Sequence, residues 1–377
     1  MNILHIISGG DSGGAKTSLV TLLSQLNKTR DEDFSVTLLC LMEGSFADAA
    51  RAADISVKIL AQKKRYDLSV VRRIARYVRE NHFDLLHFHG ARANFVAFFL
   101  RFALPGMPMC TTVHSDYKLD FADSRYKQAL YMPISKFALK RFKRILAVTE
   151  AMKKTLVSRG FKAERIDVVY NGIDADMDIN AVPKAEFLSR YKLKDEPDCI
   201  RFGIAARLQH VKGIDIFLNA CLLASKKLPD ARFLIAGTGD ELAMHEGFVR
   251  DNGLADRVTF LGQVQDIFSF YNAIDVNCLS SRSETFTYAL LEGGLLAKPT
   301  ISAACGGVPE MIEHGRTGLL FPIGDAEAMA DDMCRLATDE AERTRLGQSF
   351  QQDVTQKFSA KSMADLHKTL YAKYLAR

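Results

Sequence analysis

Nowhere do the 377 residues supply the ~20 consecutive apolar positions that a membrane helix needs. The opening stretch Met1–Gly10 has no basic start ahead of its short apolar run, so it is expected to be a strand and not a signal peptide. Cysteine is sparse and never paired in spacing: Cys40, Cys110, Cys199, Cys221, Cys278, Cys305 and Cys334 stand alone, with no Cys-x-x-Cys. An odd, scattered set argues for reduced thiols, hence cytoplasm, and against a cysteine zinc site. A P-loop is missing as well, because Ala15 separates Gly14 from Lys16. There is no Gly-x-Gly-x-x-Gly, and no Ser-His-Asp nucleophile arrangement can be picked out by spacing.

What is present is an ordinary globular composition, 48% apolar and 25% charged, in a chain long enough for two domains. The charge is uneven. Residues 1–172 hold 27 Lys and Arg against 16 Asp and Glu, whereas residues 173–377 hold 23 against 29. A basic first half suits an anionic membrane surface, an anionic substrate or nucleic acid. Nucleic acid is disfavoured, since the aromatics of the basic stretches fall in apolar stripes.

Short apolar runs alternate with helical periodicity, which predicts parallel sheets covered on both faces. Asn2–Ser8 is a strand running into the glycine loop Gly9–Gly14, and Ala15–Leu26 a helix. That layout faces bare N–H groups toward an anion. Leu68–Glu80 is an amphipathic helix with Arg72, Arg73, Arg76 and Arg79 opposite its apolar stripe, preceded by Lys63-Lys64-Arg65. Phe95–Phe102 is an apolar helix expected in the core, and Ser135–Arg144 is a second basic stretch. His87, His89 and His114 mark strand ends. His87 and His89 are read as facing opposite ways along their strand, so each is expected to be a core or hydrogen-bonding residue and no metal is expected. The acids of Asp174-Ala175-Asp176 and Asp176-Met177-Asp178 read as linker acids. The strand–helix rhythm breaks at 174–198 and restarts at Ile200.

Within the second half, Ala273–Leu279 is a strand, a polar turn carries Glu284, and a helix carries Glu292 with Gly293-Gly294 loosening its end. Over a continuous helix the two acids would stand about 12 Å apart, more than the roughly 5–9.5 Å of glycosidase pairs. They therefore read as two contacts along one extended ligand. Arg207 and Lys212, at the end of another strand, could neutralise a diphosphate.

These residues resemble the retaining family-4 glycosyltransferases of the GT-B fold. Arg207 to Lys212-Gly213, Ala236-Gly237-Thr238-Gly239, Glu284 to Glu292, and Gly306-Gly307-Val308-Pro309-Glu310 follow the family's order and intervals. In the first half, Gly13-Gly14, the strand-end His114 and Asn171-Gly172-Ile173-Asp174 add to it. The resemblance implies two doubly wound Rossmann-like α/β domains facing across a cleft: 1–173, with a helix in 359–377 packing back on it, a crossing at 174–198, and 199–358. It implies a nucleotide-sugar donor, a UDP-sugar by expectation, no cofactor and no metal. Arg207 and Lys212 would hold the diphosphate. Glu284 would bind the sugar hydroxyls with the backbone of Thr285, Phe286 and Thr287, and Glu292 the ribose. Gly13, Gly14 and Gly237 would approach the donor closely, and His114 would touch the sugar near the reacting carbon. The family usually has Gly-Phe-Gly where this chain has Thr285-Phe286-Thr287, which bears on sugar identity. Lys16, where the family often carries an acid, and His89 are candidates for an anionic acceptor. The expected activity is hexosyl transfer to a carbohydrate or lipid-linked acceptor at the inner face of the cell membrane. A nucleotide-sugar epimerase and a non-catalytic sugar-nucleotide-binding subunit are the alternatives.

Overall fold

The computed structural model describes residues 1–10, 13–29, 33–62, 67–116, 136–196 and 199–376. Asp11-Ser12 of the glycine loop, Lys63–Arg65 and Ser135 lie outside the described residues. The chain forms two compact units, Met1–Asp174 with Ser359–Arg377, and Ala175–Phe358.

The first unit is built on a seven-stranded parallel sheet. Its strands are β1 (Asn2–Ile7), β2 (Ser35–Cys40), β3 (Val57–Ile59), β4 (Leu85–His89), β5 (Met109–Val113), β6 (Arg144–Ala147) and β7 (Ile166–Val168), in the order β3-β2-β1-β4-β5-β6-β7. Period-two alternation sorts their apolar residues onto two covered faces. Leu4, Ile6, Leu39, Leu86 and Phe88 join one core with helices Ser69–Glu80 and Gly90–Ala103. Ile3, Ile7, Leu38, Leu85 and Cys110 join the other, closed by Met363, Leu370, Tyr371 and Tyr374 of helix Ala360–Leu375. The chain returns to the first unit through a tight passage. Ala360 N–H donates to the Ile173 carbonyl at 2.7 Å, and a Cβ on Gly172 would overlap the backbone of Ser359. The apolar helix starts at Gly90, earlier than expected, and is not wholly core: Phe102 is 75% exposed.

The second unit carries six parallel strands, β8 (Arg201–Ala205), β9 (Arg232–Ala236), β10 (Val258–Gly262), β11 (Val276–Leu279), β12 (Thr300–Ala303) and β13 (Leu319–Phe321), in the order β10-β9-β8-β11-β12-β13. The segment read as a crossing holds helix Lys184–Arg190, whose Phe187 and Leu188 are buried with Phe270 and Tyr271 of this unit. The acidic tail of the unit is two helices, Ala326–Thr338 and Glu340–Gln356, divided where Asp339 accepts from Glu342 N–H. Gly293 and Gly294 fall in the last turn of their helix and also have a packing duty. They lie inside helix Tyr288–Leu295, where an added Cβ would come 2.8 Å from Asn277 and 2.7 Å from Val354. Their smallness lets the helix sit down on β11 and on Glu340–Gln356.

Strand order reverses beside β1 in the first sheet and beside β8 in the second. In open α/β sheets, ligands bind beyond the carboxyl ends of strands at such points. The relevant termini are β1 and β4 in one unit, and β8 and β11 in the other.

Candidate active site

At the end of β8, Ala206 N–H donates to Ala236 and Leu208 N–H to Thr238, both at 2.9 Å. Gly237 and Gly239 are required by this docking, because a Cβ on either would overlap the carbonyl of Ala206 or Leu208. The Ala-Gly-Thr-Gly loop thus shapes the strand end that carries Arg207. Arg207 is exposed, and no hydrogen bond or ion pair reaches its guanidinium among the described residues.

A single turn, His210–Lys212, follows and ends at Gly213 with φ 64°. A Cβ there would overlap the Ser280 carbonyl at the end of β11. Lys212 is thereby brought to Glu284, with Nζ 2.5 Å from Oε1. Ser281 Oγ donates to the same oxygen at 2.7 Å. The side chains are 18% and 8% exposed, so this is an enclosed ion pair. On its other side Gly306, at φ 53°, lets the chain pass the Glu284 carbonyl, which Gly307 N–H approaches at 3.2 Å. The Gly-Gly-Val-Pro-Glu motif is in this way the floor under Glu284.

Arg282 and Asp215 were not singled out by the sequence. Arg282 pairs with both oxygens of Asp215 at 2.8 and 2.6 Å and also donates to the His210 carbonyl at 2.8 Å. It braces the turn bearing Lys212. Its only sequence signal is its place between Ser281 and Glu284.

Glu292 lies on the helix that Thr287 leads into, and accepts from Tyr271 O–H at 3.3 Å. Burial pushes its carboxyl up to about 7. Glu284 precedes this helix, so the two acids are not on one continuous helix. Phe286 does not face open solvent; its ring meets Phe358 edge-on at 5.9 Å. Thr285 is partly and Thr287 fully enclosed.

In the first unit, Gly13 caps helix Gly14–Lys28 at φ 73°, and Lys16 stands in its first turn. Ser18 Oγ donates to Asn171 Oδ1 at 2.7 Å, tying that helix to the Asn-Gly-Ile-Asp segment. Of the linker acids, Asp174 pairs with Lys28 at 2.7 Å. His87 and His89 share one face of β4, contrary to expectation, because residues two apart on a strand point the same way. Their rings lie 4.2 Å apart. His5 joins them, and ligand atoms of the three lie within 4.8 Å of one another. His89 Nδ1 meets His114 Nε2 at 3.1 Å, while His114 Nδ1 is buried without a partner among the described residues. Burial, then the His367 ring, lowers His114 to about 4.

Two Rossmann-like units, one of which gathers a free arginine and a lysine–carboxylate pair at its strand-order reversal, define a glycosyltransferase of the GT-B fold. The chain belongs to the family-4 glycosyltransferases: residues 12–177 match the model of Glycosyltransferase Family 4, and residues 200–339 that of Glycosyl transferases group 1. It is 25% identical to N-acetyl-alpha-D-glucosaminyl L-malate synthase of Bacillus anthracis over 313 residues, 81% of this chain and 79% of the relative. It is 26% identical to alpha-D-kanosaminyltransferase of Streptomyces kanamyceticus, covering 74% and 75%. Among solved structures, HepE of Anabaena with UDP-glucose superposes with a TM-score of 0.82 at 21% identity, covering 99% of this chain and all of that one.

Proposed function

We propose that this glycosyltransferase moves a hexose-type sugar from a UDP-sugar to a carbohydrate or lipid-linked acceptor with retention at the anomeric carbon and without a metal. The observation that carries the reading is the enclosed Lys212–Glu284 pair, with Arg207 exposed and unpaired among the described residues, all following the ends of β11 and β8. Two cations supply what a diphosphate needs as charge gathers on the leaving oxygen. Glu284, fixed by Lys212 and Ser281 through one oxygen, keeps its other oxygen to accept sugar hydroxyls. Glu292 accepts from the ribose. The UDP-glucose bound by HepE supports the choice of donor.

In the reaction, the acceptor hydroxyl oxygen bonds to the anomeric carbon as the carbon–phosphate oxygen bond breaks. The hydroxyl proton passes to the departing phosphate oxygen, so no protein nucleophile is required. His114 would meet the sugar through Nδ1, which has no partner among the described residues. The membrane-facing role rests on the first unit, where Phe102 and Phe137 are 75% and 47% exposed. Phe102 borders a cavity of about 900 Å³ whose lining includes Arg101, Arg141, Lys143 and Arg144, and Phe137 packs against Phe98 and under the Arg141 guanidinium. Apolar rings rimmed by cations suit an anionic leaflet, where the enzyme would work in cell-surface polysaccharide or glycolipid synthesis.

The test is incubation with UDP-, GDP- and ADP-sugars with EDTA present, following free nucleotide and the anomeric proton of the product. Acceptor-dependent UDP release with an α-donor giving an α-product is expected. An inverted product, or activity abolished by EDTA, overturns the reading. Failure to sediment with anionic vesicles at low salt overturns the membrane role.

A further inference from the structure

The histidines of the first unit form a continuous hydrogen-bonded chain that the transfer reaction does not account for. His114 Nε2 meets His89 Nδ1 at 3.1 Å, and His89 Nε2 meets His5 Nδ1 at 3.0 Å. His5 Nε2 meets the Tyr371 hydroxyl at 3.3 Å. That hydroxyl meets His87 Nδ1 at 2.7 Å, and His87 Nε2 meets Thr112 Oγ1 at 2.8 Å. The first members stand at the ends of β4 and β5, and Tyr371 comes from helix Ala360–Leu375. His5, His87, His89 and Tyr371 are at most 1% exposed. His367 packs 5.9 Å from His87, but its Nδ1 is committed to the Met363 carbonyl at 2.8 Å and lies outside the chain.

Each neutral imidazole carries one N–H and one lone pair, and each link needs one donor and one acceptor. Every imidazole–imidazole link here joins an Nε2 to an Nδ1, and Tyr371 passes the same polarity on. Only two arrangements satisfy all the links and also give the Tyr371 hydroxyl proton an acceptor; if His5 and His87 both donated to the Tyr371 oxygen, that proton would be stranded. In one, Thr112 donates to His87 and all four rings carry the proton on Nδ1, so His114 presents an N–H. In the other, all four carry it on Nε2, and His114 Nδ1 is a bare lone pair. In a dry core a broken link strands a polar atom, so mixed arrangements are penalised. Burial disfavours the cationic form of every ring, which keeps the chain neutral.

We propose that His114, His89, His5 and His87, joined through Tyr371, hold one shared tautomer, and that Tyr371 is the positioning residue that couples His87 and Thr112 to the form in which His114 Nδ1 meets the substrate. The inference rests on the placement of His114 at the sugar. It takes the place of a metal site, because the nitrogens an ion would need are already bonded, those of His5 and His89 along the chain and those of His87 to Tyr371 and Thr112.

The test is long-range proton–nitrogen correlation on the full chain labelled with 15N-histidine at pH 7, with elemental analysis of the same sample. Four neutral rings protonated on the same nitrogen are expected. A mixed set, an imidazolium among the four, or stoichiometric zinc, nickel or copper overturns the proposal. Tyr371→Phe keeps the ring's volume and removes the link. Turnover is expected to fall about fivefold, as for one lost hydrogen bond, with donor KM unchanged and the melting temperature within a few degrees. Unchanged turnover overturns the positioning role. If the protein transfers no sugar at all, the proposed function fails, while the tautomer pattern still decides whether the chain exists.

Discussion

Glu292→Gln replaces a carboxylate by an amide of nearly the same shape inside the second unit. Burial raises the Glu292 carboxyl from 4.5 to about 7. A carboxyl whose native pKa lies above its unfolded one binds a proton more readily in the fold. Its share of stability is therefore full below about pH 4.5 and is lost as pH rises through about 7. The two pKa values imply a cost of roughly 3 kcal/mol at pH 8 and about 1 kcal/mol at pH 5. The amide carries no charge and still accepts from Tyr271, so Glu292→Gln should be the more stable protein at pH 8, with the advantage shrinking toward pH 5. Its donor affinity should move the opposite way. Losing charge-assisted bonds to two ribose hydroxyls costs about 1.5–3 kcal/mol, or roughly a 10- to 100-fold rise in Kd. Urea denaturation at the two pH values and calorimetric titration with UDP measure both effects. A glutamine variant no more stable than its parent at pH 8, or one that binds UDP equally well, would show that Glu292 is neither strained nor used.

Lys212→Met should lower kcat/KM by about a thousandfold, the scale of a lost cationic contact to a leaving group. It should also destabilise the second unit by about 3 kcal/mol, because Glu284 is left enclosed without its cation; the double variant Lys212→Met with Glu284→Gln should recover the stability and not the activity, which denaturation and initial rates distinguish. Gly306→Ala sets a methyl group against the Glu284 carbonyl at a positive φ, so donor binding should be lost while circular dichroism remains native; a functional alanine variant would mean that the loop can move aside. Arg282→Ala frees the turn carrying Lys212 without removing a donor contact, and kcat should fall about tenfold with the retained anomeric product unchanged.

The second unit's candidate site could be read from the sequence because its residues lie in short motifs whose glycines have steric duties. Gly213, Gly237, Gly239 and Gly306 each let backbone pass where a Cβ would collide, and such positions write themselves into a sequence. Arg282 and Asp215 were not legible, since their pairing closes a gap of 67 residues between two ordinary surface-type side chains. The packing duty of Gly293 and Gly294 was hidden for a related reason. The sequence shows a pair of helix-weakening residues, and only the packing of Asn277, Phe350 and Val354 shows why they are there. In the first unit each histidine was visible, but the facing of His87 and His89 was read wrongly, and Tyr371 lies 284 residues from His87. A partnership of that span leaves no local pattern.

Helix Ala360–Leu375 has a consequence for biosynthesis. Residues 1–174 leave the ribosome with one face of their sheet only partly covered, by helices Gly14–Lys28 and Ser45–Ala52, and the segment that completes the cover follows only after the whole of 175–358 has been made. The second unit is continuous and can mature while the earlier one waits, half-clothed and exposed to chaperones. A pause or truncation before residue 360 would therefore harm the half of the enzyme that was translated first.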